Sequence, residues 1–172
     1  MSRLPPTPPE PCWLAVRLPH LALDLHTRGS KTRDLAVAVS ATVERRERII
    51  DCNPAAAAAG VRGGMPAPAA RAVHGELRVV ARDEAATQRA LQRLAAWCYQ
   101  YSSQVCIPAD RTGLLLEAGA SRRLFGAPEQ LARRLQGELG RLGYHAQAGS
   151  APTPESAWLA AWESRHMPTH AQ

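Results

Sequence analysis

Lysine is almost missing. Among the 21 basic residues of this 172-residue chain Lys31 is the only lysine, and with 15 acidic residues the net charge is +6. The positive charge is therefore guanidinium, which suits planar, two-pronged contacts to phosphate or carboxylate. A basic, arginine-rich domain points to a polyanionic partner, nucleic acid before membrane, although arginine and alanine richness also follows from GC-rich coding. Aromatic residues make up only 5%. Trp97, Tyr99 and Tyr101 sit on one helix, where core packing with at least one ring exposed is the expectation, rather than a platform for stacking bases. No apolar run reaches the ~20 residues of a membrane span. The N-terminus, MSRLPPTPPEPC, has no apolar stretch of the kind a secretory signal needs. Cys12, Cys52, Cys98 and Cys106 form no CxxC pair, which argues against a zinc cage. Cys98 and Cys106 occupy apolar positions and read as buried thiols, and a cytoplasmic protein is the consistent expectation. The histidines show no HxxxH or HExxH spacing. Nucleophile triads and phosphate-cradling glycine loops are also missing. No metal ligand and no cofactor are expected.

What is present is a globular composition, 45% hydrophobic and 21% charged, in a chain long enough to bury a real core. Residues 1–11 hold five prolines and read as a disordered lead-in. Cys12 to Leu18 is a short buried strand closed by Pro19. Leu35 to Ala41 and Arg48 to Asn53 are two more strands, with a charged hairpin turn between them. Asn53 is placed to cap a short helix with Pro54 in its first turn, and Gly60 to stop it. A turn, Val61-Arg62-Gly63-Gly64-Met65-Pro66, leads to a helix ending near Ala72. Leu77 to Ala81 is a strand. Asp83 opens a long helix to about Ser102, with apolar Leu91, Leu94, Ala95, Cys98 and Tyr101 at helical spacing. Gln104 to Ile107 and Gly113 to Ala118 read as strands, Pro128 to about Gly143 as a helix, Tyr144 to Ala151 as a strand, and Pro154 to Trp162 as a last helix. Residues 163–172 show no pattern. Setting aside the segment 19–75, the order is that of a ferredoxin-like split βαβ sheet. The fold class is therefore α+β: a sheet built from 12–18 and 76–162, with helices on one face and 19–75 inserted as a small subdomain.

Several stretches carry a resemblance. Ala36 to Val39, Arg48 to Asn53 and the Gly60-Val61-Arg62-Gly63-Gly64-Met65-Pro66 element resemble the fingers region of the Y-family (UmuC-like) translesion DNA polymerases. Gly113 to Glu117 resembles the palm strand that carries their second catalytic motif, and Gly149-Ser150-Ala151-Pro152 the strand end before a palm helix. Trp13 to Val16, Leu94 to Ser102, Ser121 to Gly126 and Ala151 to Leu159 are most similar to the ImuB-like, polymerase-like branch. The resemblance covers about residues 12–162 and implies a palm with an inserted fingers domain.

Polymerase chemistry needs two Mg²⁺ ions held by carboxylates. The resemblance places those ligands at Arg17, Thr112 and Gly113, none of which is an acid. The triphosphate-gripping Tyr and Arg of active members match Pro54 and Ala57, and the basic residue after the strand end is replaced by Pro154. Asp24, Asp51, Asp110 and Glu117 are read as surface or capping carboxylates, with a displaced metal site as the alternative. Arg45, Arg46 and Arg62 are candidate contacts to template phosphates, against the plainer reading of a solvated charged turn. No catalytic residue is assigned. The resemblance implies a catalytically inactive accessory protein of DNA repair and the SOS response, an adaptor whose partners are an ImuA-type RecA-like protein, an error-prone replicative-type polymerase, and possibly DNA. A sliding clamp is doubtful, because no clamp-binding motif is seen. An active nucleotidyltransferase and a truncated, idle fragment remain alternatives, since palm and fingers fill the chain and leave no room for thumb or little finger.

Overall fold

A computed structural model describes residues 11–29 and 35–164. Lys31 and all but the inner edges of the lead-in and the tail lie outside the described residues. The elements in chain order are β1 (Trp13–Arg17), α1 (Leu21–Thr27), β2 (Val37–Val43), β3 (Arg46–Cys52), α2 (Pro54–Ala58), α3 (Ala67–Val73) and β4 (Arg78–Ala81). There follow α4 (Glu84–Cys98), β5 (Val105–Cys106), β6 (Gly113–Glu117), α5 (Arg122–Phe125), α6 (Pro128–Arg141), β7 (Gln147–Ala151) and α7 (Pro154–Glu163). They form two compact units, one of residues 11–19, 91–140 and 146–164, the other of residues 20–90 and 141–145.

The larger unit is built on a sheet of order β5-β6-β1-β7. β1 runs antiparallel to both β6 and β7. This is the ferredoxin-like order expected from the sequence. Side chains alternate across the sheet. Leu14, Val16, Leu114 and Leu116 share one face and are 0% exposed, each burial contributing roughly 1.5–3 kcal/mol. α6 lies on that face: its buried stripe is Leu131, Leu135 and Leu139, and its Glu129 accepts a hydrogen bond from Ser150 Oγ. The opposite face is not bare. Ala15 and Leu115 pack there with Ala157 and Ala161 of α7, flanked by Trp13, Ala151 and Trp158. α7 sits so close that a Cβ on Gly149 would lie 2.3 Å from the Ala161 amide nitrogen. Thr153 and Ser156 close a capping box at its start, with Pro154 in the first turn, as the sequence pattern requires.

The smaller unit has a sheet of order β3-β2-β4. The β2–β3 hairpin turns through Glu44 (φ 50°) and Arg45 (φ 64°). Two successive positive φ angles match the twist of a tight hairpin, at some strain for residues with side chains. β2 lies between two cores. Ala36 and Ala38 pack with Ile49, Ala56, Val61, Ala67 and Ala70, while Val37 and Val39 pack with Leu23 of α1. β4 was expected with the larger sheet and instead pairs in parallel with β2. Val79 joins the first of these cores and Val80 the second. Strand alternation sets which face each side chain takes, but it does not set the neighbouring strand.

Three local expectations change. α1 went unread because its start carries no side-chain cap; it is held by packing, and helices of this length depend on packing. α4 stops at Cys98 rather than near Ser102, because the Tyr101 amide turns back to the Cys98 carbonyl. Cys106 is exposed, whereas Cys98 is buried as expected. Cys106 lies on the outermost strand, two residues long, where only one neighbour shields it.

Candidate functional site

On the α7 side of the larger sheet, Arg17 of β1 pairs directly with Gly113 of β6. This is the position where the resemblance places metal-binding acids. The Arg17 guanidinium donates to Gln147 Oε1 at 2.8 Å. Its central carbon lies 4.3 Å from the Trp162 ring centre and 5.7 Å from that of Trp158. Arg111 also stands over Trp158, at 5.4 Å. Two guanidiniums and two indoles therefore form one ladder, within the ~6 Å over which ring quadrupoles attract cations. Gly113 is confined: a Cβ there would sit 2.2 Å from the Val16 carbonyl oxygen and 2.8 Å from the Trp158 ring. Any larger side chain, an acid included, collides with backbone and indole together.

Mg²⁺ requires hard, preferably anionic, oxygens. A guanidinium repels it, and glycine offers no side-chain ligand. The residues at 17, 112 and 113 do not fit a two-metal site. Among the described residues no three His, Cys, Asp or Glu side chains are placed to hold a metal. The other carboxylates are engaged elsewhere. Glu117 accepts from the Gly119 amide at 2.8 Å and the Ala120 amide at 3.3 Å, pinning the turn after β6. Asp110 is exposed beside Arg111 at 3.2 Å. Asp24 is fully buried rather than at the surface, and accepts from the His145 amide at 2.8 Å and the His145 Nδ1 at 2.6 Å. Asp51 pairs with His20 Nδ1 at 2.9 Å. Both histidine partners escaped the sequence reading, which looked for histidine–histidine spacings; each lies at a contact distant in the chain.

In the smaller unit the motif residues hold the backbone. Asn53 Oδ1 accepts from the Ala56 amide, capping α2, and from the Val37 amide, while its Nδ2 donates to the Leu35 carbonyl. The Gly64 amide and the Met65 carbonyl bond to Ile49, laying the Gly-Val-Arg turn along β3. Arg62 is exposed, yet its guanidinium donates to the Ala57 and Val61 carbonyls at the end of α2. Arg45 and Arg46 are exposed at the hairpin tip. No bonded network joins Arg62 with that pair in the described contacts.

The thiols in these surroundings are not activated. Burial, with Asp51 adding to it, raises the Cys52 pKa despite Arg62, and burial pushes Cys98 up to about 12. Thiolate nucleophiles need the opposite shift. Burial also lifts Tyr101 to about 12, helped by its hydrogen bond to Glu138. The sequence reading passed over Trp158 and Trp162. Their signal was an i,i+4 indole pair on the helix after the last strand, which puts both on one face.

The impB/mucB/samB family matches residues 26–162, a span beginning after β1 and its Arg17. The chain is 33% identical over 102 residues to Protein ImuB from two strains of Caulobacter vibrioides, a match covering 59% of this chain but only 22% of those proteins. Its fold is similar to DinB from Sulfolobus solfataricus, with a TM-score of 0.66 at 16% identity. It is also similar to Dbh DNA polymerase in a post-insertion binary complex, with a TM-score of 0.72 at 16% identity. Each covers 88% of this chain and 45% of the solved chain, so this chain spans less than half of the polymerases whose fold it shares.

Proposed function

We propose that this chain, which belongs to the impB/mucB/samB family, is a Y-family polymerase-like accessory protein that takes part in DNA repair without extending primers. One observation carries the reading. The palm face that would need converging carboxylates holds the Trp162–Arg17–Trp158–Arg111 ladder, and Gly113 is walled in by Val16 and Trp158. A cation packed on indoles, with no room for an acid opposite, supports a palm given over to structure. The role is then that of an adaptor in error-prone synthesis, in the cytoplasm under SOS induction. Its partners would be an ImuA-type RecA-like protein and a replicative-type error-prone polymerase, with DNA contacted through Arg45, Arg46 and Arg62. Among the described residues no helix is long and apolar enough to cross a membrane.

The test is primer extension with protein purified free of host polymerases, on a primed template with all four dNTPs and Mg²⁺. The expected result is no extension above the buffer control. Mg²⁺-dependent extension at any rate proportional to protein concentration overturns the reading and favours an active nucleotidyltransferase with relocated ligands.

A further inference from the structure

Sheet edges expose unpaired amide and carbonyl groups, and proteins protect them with charge, proline, brevity or a cover. Three of the four described edges here are protected in those ways. β5 is two residues long and is followed by Pro108. β3 carries Arg46, Glu47 and Arg48 and is bonded along its outer side by the Gly64–Met65 turn. β4 begins with Arg78 and is followed by Arg82. The fourth edge, β7, reads Gln-Ala-Gly-Ser-Ala over five residues, with neither charge nor proline, and among the described residues pairs only with β1.

β7 also lies along a slot. A cavity of about 720 Å³ opens beside it, walled by Ala132, Arg133 and Gly137 of α6, by Ala148 to Ser150 of β7, and by Ala160 of α7. A second cavity of about 410 Å³ shares Glu129 and Ser150 with the first and continues to Arg122 and Pro152. The two cavities together follow β7 from Ala148 to Ala151, the first between α6 and α7 and the second between Arg122 of α5 and Glu129 of α6. Arg122 and Arg133, one in each cavity, are exposed and have no ion-pair partner among the described residues. The one acid between them, Glu129, accepts the Ser150 hydroxyl.

The geometry points to β7 as a docking site for an extended, acidic-ended peptide segment of a partner protein, added as a fifth strand to this sheet. The edge supplies main-chain hydrogen bonds, and the slot takes alternate side chains of modest size. The two arginines select carboxylates at the ends of the segment. The inference is independent of whether the palm is catalytic.

The probe is a fluorescently labelled octapeptide of alternating valine and serine with glutamate at both ends, titrated by anisotropy with the full chain. It is compared with the same peptide ended in lysine and with one N-methylated at alternate amides. The glutamate-ended peptide is expected to bind at least tenfold tighter than either. Gly137→Leu places a side chain in the slot, where a Cβ meets nothing within 4 Å, so the fold tolerates it and binding is expected to fall at least tenfold. Arg122→Glu combined with Arg133→Glu is expected to reverse the preference toward the lysine-ended peptide. Equal binding of the three peptides, or binding indifferent to Gly137→Leu, overturns the proposal. So does binding that appears only after residues 165–172 are removed, which would make the chain's own tail the occupant. A concentration-dependent dimer abolished by Gly137→Leu overturns it in favour of edge pairing between two copies.

Discussion

The two units treat the motifs of the family differently. In the smaller one, Asn53, Gly60 and the Gly64-Met65-Pro66 turn stand where the family pattern puts them, and each builds backbone: a helix cap, a left-handed stop (φ 97° at Gly60), and a turn bonded along β3. In the larger one, the paired strand positions hold Arg17 and Gly113, neither of them an acid, beside the Trp158 and Trp162 indoles. A residue that shapes the chain is needed whatever the protein does. A ligand is needed only for its reaction, and a position that holds no ligand is free to serve packing.

The most severe way to break the contrast is to refill position 113. Gly113→Ala forces a Cβ against the Val16 carbonyl and the Trp158 ring, and it is expected to lower stability by about 3 kcal/mol or more, the upper end for overpacking. Urea denaturation checks this, and a change below about 1 kcal/mol would show that the site has slack for an acid. Asp24→Ala is next, in the smaller unit. It strips the His145 amide and ring of a fully buried acceptor, at an expected cost of about 2–3 kcal/mol, whereas Asp24→Asn, which keeps an acceptor oxygen, loses less. Asn53→Ala removes the α2 cap and leaves the Val37 amide and Leu35 carbonyl without their partner, for about 2 kcal/mol. If this cap substitution is silent, the motif is not holding the smaller unit together.

A smaller effect sharpens the comparison by pH. Tyr101 and Cys98 belong to the larger unit and both have raised values, each to about 12. A raised pKa means the folded state holds the proton more tightly than the unfolded chain. The stability linked to these groups is fully present below their ordinary values, 9.0 for the thiol and 10.0 for the phenol, and is lost as pH rises toward about 12. Urea midpoints measured from pH 8 to 12 should fall across that window, and the fall should be shallower in Tyr101→Phe. An unchanged slope in that variant would assign the alkaline loss to other groups.

Legibility followed the range of the interactions. The Asn53 cap, the Pro154 helix start and the charged hairpin turn each depend on residues within four positions, and all three are legible in the sequence. The ferredoxin-like order was also legible, because the sequence of strands and helices leaves few right-handed, unknotted arrangements. α1 was missed for want of a cap, and β4 was placed with the wrong neighbours because parallel pairing leaves no local trace. At the candidate site the absence of acids at 17, 112 and 113 was plain. That the vacated face is packed by Trp158 and Trp162 was not, since an indole pair on a helix reads as ordinary amphipathic spacing.

By itself, then, the sequence determined the α+β class, a positive charge that is arginine at all but one position, the caps and turns, and the absence of acids at 17, 112 and 113. These are properties of residue identity and of spacing within a turn or strand. Tertiary structure alone decided that Arg17 stacks on Trp162, that Gly113 has no room for a side chain, that Asp24 is buried against His145, and that β7, with neither charge nor proline, is an edge among the described strands. Each of these depends on two or more segments, from 45 residues apart to well over a hundred, and only the packed fold brings such segments within van der Waals and hydrogen-bonding range.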